Sequence, residues 1–414
     1  SVQAVAGMMG SLGDGHVCTS DPTSRRINQA QSFRTFERSA MASFAGTFLL
    51  HWLLGDGARP CSEDEFGKWQ RGVHVFPHGG FVTRKGTGAT ASFAWRNRPV
   101  IVVQPEEGTW AVTPHFTSLT GSLETDSPER PGMNDLAHRV DEDGDGFAAT
   151  ATFERNDGAA LQRVALIAPS DRIAFYFEDT VAQQDLRVLS QRSGEVGVRN
   201  EDFAELPELA SGARVIRTAD GEFEAVSRFG GDDEWFLAPD TRWVNVDDRI
   251  GYVVLGGKGV AYQAHHNYDH KFLGMEDFLI LSRTDEPRDY ATGETISRLA
   301  VAISPNQRAS ATARLADDAL RLRAPKLSDA MIADGWLAAV NFADRRRTVK
   351  LKRRVAEGDD LPVFEGKLTV RDGTATYEVS LQPRQARALK ALGRVTVSGP
   401  VEVFGAPTGE VFEV

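Results

Sequence analysis

The sequence predicts a mainly β protein: a large antiparallel β-sandwich or double sandwich, with a short N-terminal helical segment and a small C-terminal β domain. Three observations carry that expectation. From Val73 onward, short apolar runs bounded by Gly, Pro, Asn or Asp recur to the end of the chain. Helical periodicity is confined to the segment before Arg71. The 414 residues also exceed what one core holds, since single cores stop growing near roughly 250–300 residues. Many strands with few helices imply stacked sheets, because every sheet must cover an apolar face. A parallel α/β fold is disfavoured.

In order along the chain, Phe33, Phe36, Glu37, Met41, Phe44, Phe48 and Trp52 recur at three- and four-residue steps, and Gly55-Asp56-Gly57 stops the run. Residues 1–70 therefore read as a helical segment, the tail of a larger helical domain. Cys18 and Cys61 flank that helix, as a disulfide or as two lone thiols. The expected strands of a main sandwich, residues 71–305, begin with Phe81-Val82, Ala91 to Trp95, Val100 to Val103, Ala148 to Phe153, Val164 to Ala168 and Ile173 to Phe177. They continue through Ala213 to Ile216, Gly221 to Arg228, Thr241 to Val246, Ile250 to Leu255, Leu279 to Ser282 and Arg298 to Ile303. Pro305 to Leu327 accumulates Ala and Arg without a strand pattern and reads as a linker. Beyond it, within 306–414, Leu337 to Phe342, Thr348 to Lys352, Lys367 to Arg371, Ala375 to Leu381 and Val395 to Phe404 form a small β domain.

The net charge of -11 argues against a general nucleic-acid surface. No window approaches the roughly 20 apolar residues of a membrane helix; the best, Met41 to Leu54, is short and contains His51. The opening Ser1-Val2-Gln3 reads as a processed or truncated product, and the expectation is a secreted or periplasmic protein. A Gly-rich phosphate loop, a His-Glu-x-x-His, a Cys pair at metal spacing and a Gly-x-Ser-x-Gly elbow are all absent. Phosphoryl transfer and serine hydrolysis are disfavoured accordingly.

Asp141-Glu142-Asp143-Gly144-Asp145-Gly146 has the alternating carboxylates of a cation loop. An EF-hand would need Glu at loop position 12, where Thr152 stands. A turn between strands is the expected reading, with a looser calcium loop through Asp141, Asp143 and Asp145 as the alternative. His265-His266-Asn267-Tyr268-Asp269-His270 is the densest group of acid, base and ligand side chains. On a strand, His266, Tyr268 and His270 share a face. On a helix, His266 and His270 do, at a spacing used by zinc sites. Phe76-Pro77-His78-Gly79-Gly80-Phe81 puts His78 on a turn, with Arg84, Arg96 and Arg98 nearby as anion forks. Trp243 to Tyr252 reads as two strands around a tight turn at Asp247-Asp248, a catalytic carboxylate pair being the sharper alternative.

The stretch Ala91-Ser92-Phe93-Ala94-Trp95-Arg96, Arg98 to Val103 and Gly108-Thr109-Trp110 resembles the opening of the β-sandwich in heparinase II/III-like polysaccharide lyases. Trp243 to Tyr252 and Tyr377 to Pro383 are similar to strands in the β domains of carbohydrate-active enzymes. The resemblance covers residues 70–300 and implies that the helical segment ends an α/α toroid, with a cleft between toroid and sandwich. Where that sandwich commonly carries a His before its Ser-Phe strand, Gly86-Thr87-Gly88-Ala89-Thr90 stands here, without a His or Asp for a structural zinc.

The resulting expectation is β-elimination on an acidic, uronate-containing polysaccharide, by a lyase or its C-terminal portion. Such chemistry needs a group to neutralise the carboxylate, a base for the C5 proton and an acid for the leaving oxygen. His78 or His266 is the expected base or neutraliser and Tyr268 the proton donor. Arg84, Arg96, His265, His270 and Trp95 are the expected substrate contacts. No metal or other cofactor is required. The alternatives are a non-catalytic carbohydrate-binding or scaffolding sandwich, and a glycoside hydrolase with two carboxylates across a cleft.

Overall fold

The computed structural model describes residues 62, 65, 68, 70–96, 100–105, 112–113, 119–126, 134–199, 214–225, 232–264 and 276–413. The helical periodicity around Phe36 to Trp52, both cysteines, and the segment His265 to His270 lie outside them. The chain is mainly β, and its strand ladders are antiparallel.

A meander of Gly72–Phe76, Phe81–Lys85, Ala89–Ala94 and Val100–Pro105 forms a four-stranded sheet. A nine-stranded sheet runs, edge to edge, Glu222–Ala225, Arg214–Thr218, Trp243–Val246, Ile250–Leu255, Thr295–Pro305, Ala174–Ala182, Ala160–Ala168, Gly146–Arg155 and Asn134–Asp143. A seven-stranded sheet has the path Glu234–Ala238, Val260–Ala264, Glu276–Thr284, Leu186–Arg199 and Arg288–Tyr290, with Val112–Thr113 and Ser122–Thr125 also paired to Leu186–Arg199.

The nine-stranded sheet is covered on both faces. Phe147, Phe153, Leu166, Tyr176, Val246, Tyr252 and Val301 pack with Val82, Phe93 and Trp95 of the four-stranded sheet region and with Val198, Tyr262 and Leu279 of the seven-stranded sheet. Their strand neighbours Ile167, Phe175, Phe177, Val253 and Ala302 point the other way, onto Met331, Ala338, Val340, Phe342, Ala386 and Ala388. Two covered faces explain why Ile250–Leu255 reads as an unbroken apolar run, with every residue buried, rather than an alternation.

That second partner is a four-stranded sheet of Leu320–Arg321, Ser328–Ala333, Trp336–Asn341 and Ala386–Lys390. Its outer face builds a further core with a five-stranded sheet of Arg347–Arg354, Thr374–Leu381, Gly366–Arg371, Val401–Gly405 and Val411–Glu413. The expected single strand Val395 to Phe404 is two strands, Gly393–Thr396 and Val401–Gly405, parted at Gly399-Pro400. Proline removes a ladder donor there. The expected linker Pro305 to Leu327 holds a helix, Ala309–Asp318. Its buried face is Ala309, Thr312 and Ala316, too small to register as an apolar stripe.

Candidate functional site

The edge strand Asn134–Asp143 is interrupted by a β-bulge: Asp135 is opposite Phe153, but Ala137 is opposite Thr152, leaving Leu136 unpaired. In a regular strand, residues three apart point to opposite faces. The extra residue cancels one alternation, so Asp135 and His138 fall opposite Phe153 and Ala151, which share the inward face. His138 Nδ1 and Asp135 Oδ2 consequently meet at 2.8 Å. An ionised carboxylate can only accept, so Nδ1 donates, and in the neutral imidazole Nε2 is then the acceptor. His138 is exposed, and no described residue bonds Nε2. Asp135 Oδ1 is buried with no hydrogen-bond partner among the described residues.

Trp95 lies beneath the imidazole, its ring stacked at 4.7 Å between centroids and 20° between planes. It is held by its own backbone N–H, which donates to the Gly80 carbonyl at 2.9 Å. The neighbouring Arg96 is exposed and donates through Nη1 to the His78 carbonyl at 2.6 Å. This fit depends on Gly80, at φ +73°, where a Cβ would stand 2.3 Å from Arg96 Cβ. Of the residues singled out in the sequence, Trp95 therefore meets His138, which holds Asp135, and the adjacent Arg96 reaches the backbone of the turn that carries His78. Trp95 is fully covered and supports His138 instead of offering a face to a sugar.

Arg84 has a different role. Its guanidinium is buried, with Nε on the Asp145 carbonyl at 2.6 Å and Nη1 on Asp171 at 2.5 Å. It is a structural tie and is not presented to a ligand. Asp171 also accepts from the Thr87 N–H and hydroxyl and from the Gly88 N–H. Burial pushes its carboxyl up, but Arg84 and Thr87 outweigh that and hold it below the usual value. The Gly86-Thr87-Gly88 loop thus wraps a carboxylate, and a Cβ at Gly86 would collide with it at 1.5 Å.

Asp141 and the Asp247-Asp248 pair are engaged within the protein. Asp141, in the hairpin Asn134–Asp143 to Gly146–Arg155, takes a bidentate Arg139 at 2.6 and 2.7 Å. Among the described residues no group of three or more His, Cys, Asp or Glu is placed to hold a metal ion. Asp247 and Asp248, at φ 53° and 52°, make the tight turn expected between Trp243–Val246 and Ile250–Leu255. Their carboxylates bind Arg214, the Val215 N–H, Arg217 and the Ala309 N–H. His265, His266, Tyr268 and His270 fall between Val260–Ala264 and Glu276–Thr284, outside the described residues. Among the described residues no helix is long and apolar enough to cross a membrane.

No protein-family model and no curated protein sequence matches the chain. Solved structures to which it is similar include a Paenibacillus xanthan lyase at 10% identity and TM-score 0.42, covering 96% of this chain and 44% of that one. A Streptomyces coelicolor chondroitin AC lyase is similar at 10% identity and TM-score 0.37, covering 89% and 54% respectively. A heparinase III is similar at 8% identity and TM-score 0.34, covering 84% and 47%. The chain spans about half the length of each.

Proposed function

We propose that the chain acts on an acidic, uronate-containing polysaccharide by β-elimination. The observation that carries this reading is the Asp135–His138 pair, aligned at 2.8 Å by a bulge and seated on Trp95 beside the exposed Arg96. In the proposed reaction Nε2 of His138 takes the C5 proton of the uronate. The C5–H electron pair becomes the C4=C5 bond as the C4–O4 bond breaks. The departing O4 collects a proton, for which His78 on the adjoining turn is the candidate donor. Asp135 orients the imidazole and faces the positive charge it acquires, the work a carboxylate does behind a catalytic histidine. Arg96 presents a fork to the uronate carboxylate, whose neutralisation makes the C5 proton removable.

The test is to incubate the protein with a panel of uronate polysaccharides and follow the ultraviolet absorbance of the unsaturated product. His138→Ala is expected to lower the rate by about 10²–10⁴-fold, the range for loss of a general base. Arg96→Ala is expected to raise KM chiefly. Undiminished turnover in His138→Ala would overturn the assignment. Binding without product would favour a non-catalytic carbohydrate-binding sandwich, and cleavage without the new chromophore a hydrolase.

A further inference from the structure

A second cleft, at the other end of the strand that carries the Asp135–His138 pair, opens between the Asn134–Asp143/Gly146–Arg155 hairpin and the strand Ala386–Lys390. Its volume is about 460 Å³, within the range of roughly 300–1,000 Å³ typical of small-molecule sites. Packed sheets close the space between them with interdigitating side chains. Here the facing positions are Ala148, Ala386 and Ala388, which bring only methyl groups, and the gap stays open.

Its walls are fixed without a ligand. Arg139 spans the two units, holding Asp141 and donating to the Pro383 carbonyl at 3.2 Å. Thr150 donates to the Arg384 carbonyl at 2.6 Å. Glu365 is engaged by both terminal nitrogens of Arg387. What remains to face the cleft is complementary: Glu142 and Asp143 on one wall, and Lys390 and Trp336 as a cross-strand pair on the other. Glu142, Asp143 and Lys390 are exposed and have no ion-pair partner among the described residues, and Trp336 is only half-buried.

We infer that this cleft binds a short neutral saccharide, of one or two sugar units. Sugar hydroxyls both donate and accept, which matches carboxylates opposite an ammonium. The apolar C–H face of a pyranose matches an indole. An acidic sugar would meet Glu142 and Asp143 as like charges, so this ligand class differs from the uronate proposed at His138.

The experiment is calorimetric titration of the intact protein with cellobiose, N,N′-diacetylchitobiose and a uronate disaccharide, with tryptophan fluorescence as a parallel readout. Saturable binding of at least one neutral disaccharide is expected. Trp336→Ala should weaken it about tenfold, as loss of roughly 1.4 kcal/mol implies. Asp143→Asn, on an exposed position that does not threaten folding, should weaken it severalfold. Neither variant should change elimination kinetics. Absence of binding at millimolar disaccharide, or equal affinity in wild type and both variants, would overturn the inference. So would preference for the uronate disaccharide.

Discussion

Glu178 is buried between the nine- and seven-stranded sheets. The hydroxyls of Tyr176, Thr180, Ser193 and Ser297 all donate to it, at 3.1, 3.1, 2.9 and 2.5 Å. Burial pushes its carboxyl above the ordinary value, and the hydroxyls and Arg155 only partly pull it back. A folded value above the unfolded one gives stability that is complete below the unfolded pKa and is lost as pH rises through the folded pKa. Glu178→Gln keeps an acceptor for Thr180, Ser193 and Ser297 but cannot ionise. Its stability is therefore expected to vary less with pH above about 4.5, the ordinary Glu value. Glu178→Leu strands the hydroxyls and should cost about 1–3 kcal/mol. Urea unfolding of both variants across a pH series measures this, and an unchanged pH slope in Glu178→Gln would contradict it.

At the scale of elements, the bulge brings Asp135 and His138 to one face by looping out Leu136. Deleting Leu136 leaves the two residues two apart in a regular strand and so still on one face. Turnover is expected to persist in that deletion, well above His138→Ala, with an unchanged circular dichroism spectrum; a loss as deep as in His138→Ala would count against the site. The bulge is also why His138 was not legible in the sequence. A three-residue separation on a strand argues against a contact, and no residue type announces a bulge at Leu136. The polar string Asn134–Asp143 shows an edge strand only once its partner is known. The Trp243 to Tyr252 hairpin was legible, because apolar alternation and two turn-forming acids agree. What the sequence did not disclose was the second use of those acids. Asp248 accepts from the Ala309 N–H at 2.8 Å and so caps a helix whose own N-terminal neighbour, Arg308, supplies no side-chain cap. Asp248→Ala should cost about 0.5–2 kcal/mol, the range for losing an N-cap. Asp248→Asn, which retains an acceptor and tolerates φ 52°, should cost less. Thermal unfolding of the two variants would separate these effects.

At the scale of the molecule, the β class was legible because turn residues punctuate nearly every strand. The layering was not, because a strand buried on both faces looks the same whatever covers it. The cover for Phe175, Phe177, Ile167 and Val253 comes from Met331, Val340 and Phe342, more than 150 positions later for the two phenylalanines, and no local pattern reports so distant a partner. The same packing argues that the residues before and after Pro305 do not fold as independent halves. A chain ending at Pro305 would expose that face, an apolar patch on the order of several hundred Å², beyond what soluble monomers commonly carry. It is expected to be insoluble or to bind a hydrophobic dye strongly. The segment from Asn306 onward keeps its own inner core around Leu351, Leu368, Tyr377 and Leu381, and should retain β structure while self-associating through Met331, Val340 and Phe342. Co-expression of the two pieces should restore a soluble complex, since each supplies the face the other lacks. Two soluble monomeric fragments would instead mean that this shared layer contributes little to stability.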